Sequence, residues 1–386
     1  MENSRSSTQM IAVAGGAILL AAVGNASALE IKSGSDKVDV ELYGQVNRAV
    51  LYADDGNESQ FFHVDNDNSS TRVGLTGKIK ATETVTVGSS FEVEWQENAS
   101  NVVSMDEESI AGEFEGRLME LYLSCKKTGK ISIGKGKMAS EDTSETDLSG
   151  TSLAGMSDVA KVGGGFKFYD PAYVAPLPAS PDEEVVDTRL SVGNVFNNMD
   201  GLAKKNRMRY DTPKFAGFSL AAAAGEQKIG DAGLFYSGEF AGTKLEGALA
   251  WADFGDDKPY SQINGSASVL FPFGLNLTFA VGTRDMDTMP AGGDDPAFMY
   301  GKIGYICDNI FSVGSTAFSV DYSVDENIKR QNNGEEGTAY GIQLVQKLNA
   351  YNTDLYAAYR SYELEDSTGA DYEDISIVMA GARLKF

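Results

Sequence analysis

Period two dominates this chain. Val85, Val87, Phe91, Val93 and Trp95 share one parity, while Thr84, Thr86, Ser90, Glu92 and Glu94 share the other, the pattern of a strand with one apolar and one wet face. The alternation recurs in Val73, Leu75 and Ile79 against Arg72, Thr76 and Lys78, and in Phe318, Val320 and Tyr322 against Ser319, Asp321 and Ser323. It predicts sixteen strands, near 38–52, 71–80, 84–96, 116–124, 130–137, 205–211, 217–226, 232–240, 243–253, 260–271, 274–285, 297–307, 311–323, 338–348, 353–363 and 375–386. Short connections, such as Ala81 to Glu83, Thr212 to Ala216 and Ala241-Gly242, alternate with long ones at 53–70, 97–115, 138–204, 286–296, 324–337 and 364–374. Only 227–231 and 254–259 weaken that rule.

An even number of strands of about ten residues, with short turns at one end and long loops at the other, is the signature of an all-β transmembrane barrel. Hydrocarbon offers no partner to an unpaired backbone N–H or C=O, so a chain without spanning helices crosses it only as a closed antiparallel sheet. Met10 to Val23 is apolar but too short to span comfortably, and it runs into Ala26-Ser27-Ala28, a signal-peptidase pattern. Residues 1–28 are therefore predicted as a signal peptide and 29–386 as the barrel, exported to a Gram-negative outer membrane.

Charge and composition remove the rival classes. With 32 Lys and Arg against 56 Asp and Glu the formal charge is −24, which argues against nucleic-acid binding. The single histidine, His63, lies among Asp65, Asn66 and Asp67 in a predicted outer loop and reads as solvated rather than as a general base. No nucleophile elbow, Walker A or HExxH pattern occurs, so neither an enzyme nor a cofactor is expected. Gly134-Lys135-Gly136 follows a strand but no helix follows it, so it is rejected as a phosphate loop. Asp65-Asn66-Asp67-Asn68 is similar to a calcium loop, yet Ser70 and Thr76 stand where Gly and Glu are required; only adventitious Ca²⁺ at acidic loops is expected. Cys125 and Cys307 fall at short-turn ends half a circumference apart, and a sixteen-stranded barrel is roughly 30 Å across, so no intrachain disulfide is expected. Arg48 shares parity with Val40, Leu42 and Val46, and Glu120 sits awkwardly between Met119 and Leu121. Both point to a subunit interface, a rim or a β-bulge.

Several segments resemble the general, trimeric porins of Gram-negative outer membranes. Val40-Glu41-Leu42-Tyr43-Gly44-Gln45-Val46 resembles the family's first strand, and Ser70-Thr71-Arg72-Val73-Gly74-Leu75-Thr76-Gly77 its second. The run from Asn206 to Ser219 (NRMRYDTPKFAGFS) is the most specific, and the chain ends on the family's terminal aromatic, Phe386. The resemblance implies a homotrimer among outer-membrane lipid and lipopolysaccharide, with the third loop, 138–204, folded into the lumen as a constriction. It places Glu141, Asp142, Glu145 and Asp147 on that loop, facing Arg72, Arg117 and Arg209 on the wall; parity adds Arg207 and Lys78 and leaves Arg117 less secure. The implied function is passive diffusion of small hydrophilic solutes and ions. Six carboxylates between Glu97 and Glu115 and six between Glu363 and Asp374 suggest mild cation preference. Two alternatives stay open: a sugar-type specific channel using Phe166, Phe168, Tyr169 and Tyr173 as an aromatic ladder, and a non-transport envelope barrel such as an adhesin.

Overall fold

A computed structural model describes residues 29–32, 37–174 and 187–386; the predicted signal peptide lies outside them. The strands are β1 (Leu29–Lys32), β2 (Val38–Asp54), β3 (Ser59–Asp65), β4 (Arg72–Lys80), β5 (Val85–Gln96), β6 (Glu113–Cys125), β7 (Gly129–Lys137), β8 (Lys204–Asp211) and β9 (Phe218–Gly225) in the first half. The second half holds β10 (Gly230–Phe240), β11 (Thr243–Asp253), β12 (Tyr260–Leu270), β13 (Leu275–Met286), β14 (Ala297–Phe311), β15 (Gly314–Glu326), β16 (Glu336–Leu348), β17 (Thr353–Glu365) and β18 (Ile375–Lys385). β2 and β4 to β18 form a closed, sixteen-stranded antiparallel barrel.

Closure depends on β2, the longest strand at 17 residues. One edge pairs with β18 from Asp54 to Gln45 and then with β1 from Leu42 to Asp39. The other pairs with β3 over Arg48–Asp54 and with β4 over Val38–Gln45. Phe386 exchanges both backbone hydrogen bonds with Gly44, at 2.9 and 3.0 Å, which fills the gap between β18 and β1. No stretch of β2 is left without a partner, as a membrane requires.

The period-two reading holds on the outside. Val73, Leu75, Met119, Leu121, Leu123, Ile263, Phe279 and Ile303 are exposed on the outer wall, where only a hydrocarbon solvent makes such a surface stable. Arg48 is outward, as its parity said, and is held at the outer end by the Glu97 carbonyl at 3.1 Å and by Asp65 at 3.9 Å. Glu120 turns out to face the lumen, where it pairs with Arg207, so it is no misfit. Between β5 and β6 the register slips, Glu92 facing Leu118 and Val93 facing Gly116. The bulged residue is Arg117, whose side chain is turned inward against its sequence parity.

Inside, the described part of the long segment between β7 and β8 is packed against the wall rather than extended into solvent. Ser140 bonds Asp231 of β10 at 2.6 Å, Asn264 of β12 donates to Thr143 at 2.6 Å, and Thr151 meets Ser319 of β15 at 2.6 Å. Its chain then reaches Tyr362 of β17, which donates to the Val159 carbonyl at 2.8 Å. Phe166 and Phe168 are fully buried, the former edge-on to Phe62 at 5.3 Å and the latter near Tyr372 at 6.4 Å. These rings anchor the loop, so they form no aromatic ladder for a solute. Gly164 and Gly165 press so closely on the carbonyls of Asn101, Val102 and Val103 that a side chain has no room.

Candidate functional site

Among the described residues the loop leaves an opening in the lumen, a cavity of about 510 Å³. Arg72 of β4 and Arg117 of β6 line one side; Tyr260 and Gln262 of β12 and Arg284 of β13 line another. The loop supplies Glu141, Asp142, Glu145, Asp158, Lys161 and Asp200. The connection from β3 to β4 also bends inward, adding Asp67 and Asn68. Sequence reading placed Asp67 in a solvated outer loop; instead Gln96 donates to it at 2.8 Å, and the neighbouring Asn66 bonds the Leu153 carbonyl at 2.8 Å. Two inward segments thus meet at the waist.

The wall cations are held by their own acids. Arg117 donates to Glu92 at 2.7 Å and to Glu94 at 2.6 Å, and Arg72 lies 3.9 Å from Glu92. Arg284 donates to Asn197 at 2.6 Å and covers the Tyr260 ring at 4.8 Å. Lys161 bonds Glu145 within the loop at 2.7 Å, while Lys137 at the end of β7 bonds Asp142 and Lys204 at the start of β8 bonds Glu141. Carboxylate oxygens of Asp142, Glu145 and Asp200 lie within 4.8 Å of one another, a concentration of negative charge beside those lysines. Asp142 has a φ of 66°, with Met199 at 49° and Ala203 at 53°, so the chain around this cluster stores backbone strain that its contacts must hold. Asp200 helps hold it by accepting from the Asp142 N–H at 2.7 Å and the Ser144 N–H at 2.8 Å.

The loop carboxyls split into two groups. Burial pushes Asp158 up to about 6, although Lys161 opposes it. Burial, with repulsion from Glu145, holds Asp200 well above the usual carboxylate range, and burial also raises Asp67. Burial acts on Asp142 too, but there the Lys137 ammonium outweighs it and the carboxyl is held below its ordinary value. The waist therefore mixes a carboxyl that its lysine holds ionised with carboxyls whose burial favours the protonated form.

Of the nine residues expected at the site, Arg72, Arg117, Glu141, Asp142 and Glu145 line this cavity. Asp147 does not: it is buried behind the loop, bonded to Lys302 of β14 at 2.8 Å. Arg207 and Arg209 point inward but lie toward the short-turn end, in a separate niche, paired with Glu120 and Asp211. Lys78 is exposed near the end of β4, outside the cavity. Lys137, Lys161, Lys204, Arg284, Asp67, Asp158 and Asp200 were missed. Arg284 falls on the wet parity of β13 and was legible by alternation, whereas no local pattern distinguishes Asp67, Asp158, Lys161 and Asp200 from solvated loop charges.

Comparisons with known proteins agree with this architecture. A family model described as Gram-negative porin matches residues 12–367. Among solved structures, an anion-selective porin from Comamonas acidovorans is similar with TM-score 0.58 and 16% identity, covering 91% of this chain and 100% of that one. OmpF of Salmonella typhi is similar with TM-score 0.55 and 13% identity over 93% and 100%. The trimer form of OmpT of Vibrio cholerae gives TM-score 0.54 and 14% identity over 91% and 100%. No curated protein sequence matches.

Proposed function

This chain belongs to the Gram-negative porin family, and we propose that it forms a water-filled outer-membrane channel through which small hydrophilic solutes and ions diffuse passively, without turnover or cofactor. The carrying observation is the 510 Å³ opening at the waist, lined both by wall cations such as Arg72, Arg117 and Arg284 and by acids of the loop. Such opposed charges set up a transverse field that orients dipolar solutes, while an apolar solute loses hydration with nothing in return. In this reading Arg72, Arg117, Glu141, Asp142 and Glu145 tune the current, and the segment 138–204 sets its width.

A homotrimer in contact with lipid and lipopolysaccharide fits a chain whose fold is shared with a trimeric porin and whose outer wall carries Arg48 beside β18. Mild cation preference is the favoured selectivity, because the whole chain carries −24 while acids and bases are nearly matched at the waist. The anion-selective structure above shares the fold only.

Single-channel recording on refolded protein tests the function: discrete ohmic steps are expected, and a folded barrel that carries no current refutes it. Reversal potentials across a salt gradient test selectivity, where a clear anion preference overturns the cation reading.

A further inference from the structure

Between Lys137 and the short-turn end, the lumen face of β6, β7 and β8 holds a second cavity of about 270 Å³. Four cations reach it, Lys130, Lys137, Arg207 and Arg209, against Glu120 and Asp211. Register explains the gathering. Ser132 pairs with Arg209, and Gly134 sits between Glu120 on one neighbour and Arg207 on the other. With no side chains at Gly134 and Gly136, the Arg207 guanidinium lies across β7 and reaches Glu120; a Cβ at Gly136 would collide with that pair. The glycines rejected as a phosphate loop thus open space on a strand.

Most of the donors here are committed. Arg207 donates to the Lys137 carbonyl at 3.0 Å, to the Gly134 carbonyl at 3.3 Å and to Glu120. Arg209 is bidentate on Asp211 at 2.7 and 3.0 Å and also bonds the Met138 carbonyl at 2.5 Å. Two groups are different. The Lys130 ammonium is 3.9 Å from Glu120 and 4.5 Å above the Tyr122 ring, so its three donors are loosely held. Ser132 is 1% exposed, lines the cavity, and its Oγ has no hydrogen-bond partner. A buried hydroxyl without a partner is costly, and here it stands two residues from a loosely held ammonium on the same face of the strand.

We propose that this niche is an anion site, seating a tetrahedral oxyanion such as phosphate between the Lys130 ammonium and the Ser132 hydroxyl. The guanidiniums of Arg207 and Arg209 add positive field, while Glu120 and Asp211 oppose it and keep the site weak enough to release its ligand. Lys137 lines both cavities, so the niche adjoins the waist. Its place on a route rests on the channel reading; the binding itself does not.

The probe is inorganic phosphate, and two readouts separate the two readings. ³¹P line broadening by the full chain folded in detergent reports binding alone, and planar-bilayer chloride currents with phosphate on the short-turn side report its effect on flow. The wild type is expected to broaden the line and show saturable block. Lys130→Met weakens both about tenfold and Ser132→Ala about threefold, the scale of a charge-assisted and a neutral hydrogen bond. Lys130→Arg restores binding, which guards against a variant that merely misfolds. A conducting barrel that leaves the phosphate line sharp, or one whose broadening survives Lys130→Met, overturns the niche. Broadening without any current overturns the channel and leaves the niche standing.

Discussion

Replacing Lys302 with Met should release the loop that narrows this barrel. The Lys302 side chain is 0% exposed, and its ammonium donates to Asp147 at 2.8 Å and to the Gly155 carbonyl at 2.6 Å. The Asp147 side chain is 6% exposed, and besides Lys302 it accepts from the Ser149 N–H at 2.7 Å. Removing one partner of such a buried pair costs roughly 3–5 kcal/mol, because the other charge is left uncompensated. At about 1.4 kcal/mol per tenfold, the undocked loop should gain two to three and a half decades of population. The remaining anchors, Thr151 to Ser319 and Tyr362 to the Val159 carbonyl, set how far it moves. The pH dependence gives a second check. Burial acts to raise Asp147, but Lys302 outweighs it and holds the carboxyl below its ordinary value. In the wild type this pair therefore contributes stability above the unfolded carboxyl value of about 3.9, lost only as pH falls through the lower folded value. Without Lys302, burial is opposed only by the Ser149 hydrogen bonds, so the penalty should be largest at neutral pH and shrink toward pH 4. Hydrogen exchange over 138–160 and single-channel conductance measure it: faster exchange and larger, noisier steps at pH 7, both reduced near pH 4. The double variant Lys302→Met with Asp147→Leu should recover most of the docking. Wild-type exchange and conductance in Lys302→Met, or a defect independent of pH, refutes the reasoning.

Four further outcomes are expected. Arg72→Glu should shift the reversal potential toward stronger cation preference, while Lys78→Glu, outside the cavity, should shift it much less; equal shifts remove Arg72 from the waist. Asp158 titrates near 6 because burial disfavours its charge, so ionised Asp158 destabilises the fold above that value and the cost is relieved as pH falls through it. Cation preference should accordingly drop between pH 7.5 and 5, and Asp158→Asn should flatten that drop. Gly165→Ala sets a methyl against the Val102 and Val103 carbonyls and should raise protease sensitivity of the loop without unfolding the barrel, read by limited proteolysis. Arg117→Leu leaves Glu92 and Glu94 side by side without the cation they share, so refolding yield should fall, and adding Glu94→Gln should recover part of it.

Alternation along the chain was enough to place the sixteen strands, since each barrel strand must hide one face from lipid and a two-residue period records that locally. Strand ends agree with the predicted ones to within a few residues through most of the chain, and the segment opening at Met138 stood out by length alone. Alternation could not foresee β3, which turns the predicted loop 53–70 into a hairpin and carries Asp67 to the waist. Nor could it assign Arg117, because one bulged residue reverses every parity judgement beyond it. The partners of the loop acids were equally hidden. Asp147 stands near Asp142 and Glu145 in sequence, yet it is drawn behind the loop by a lysine 155 residues away, and Arg207 is drawn from the waist by Glu120, 87 residues away. Face and strand are local properties that solvent writes into neighbouring residues; which acid meets which base is decided only when the closed ring brings distant strands and an inward loop to the same height.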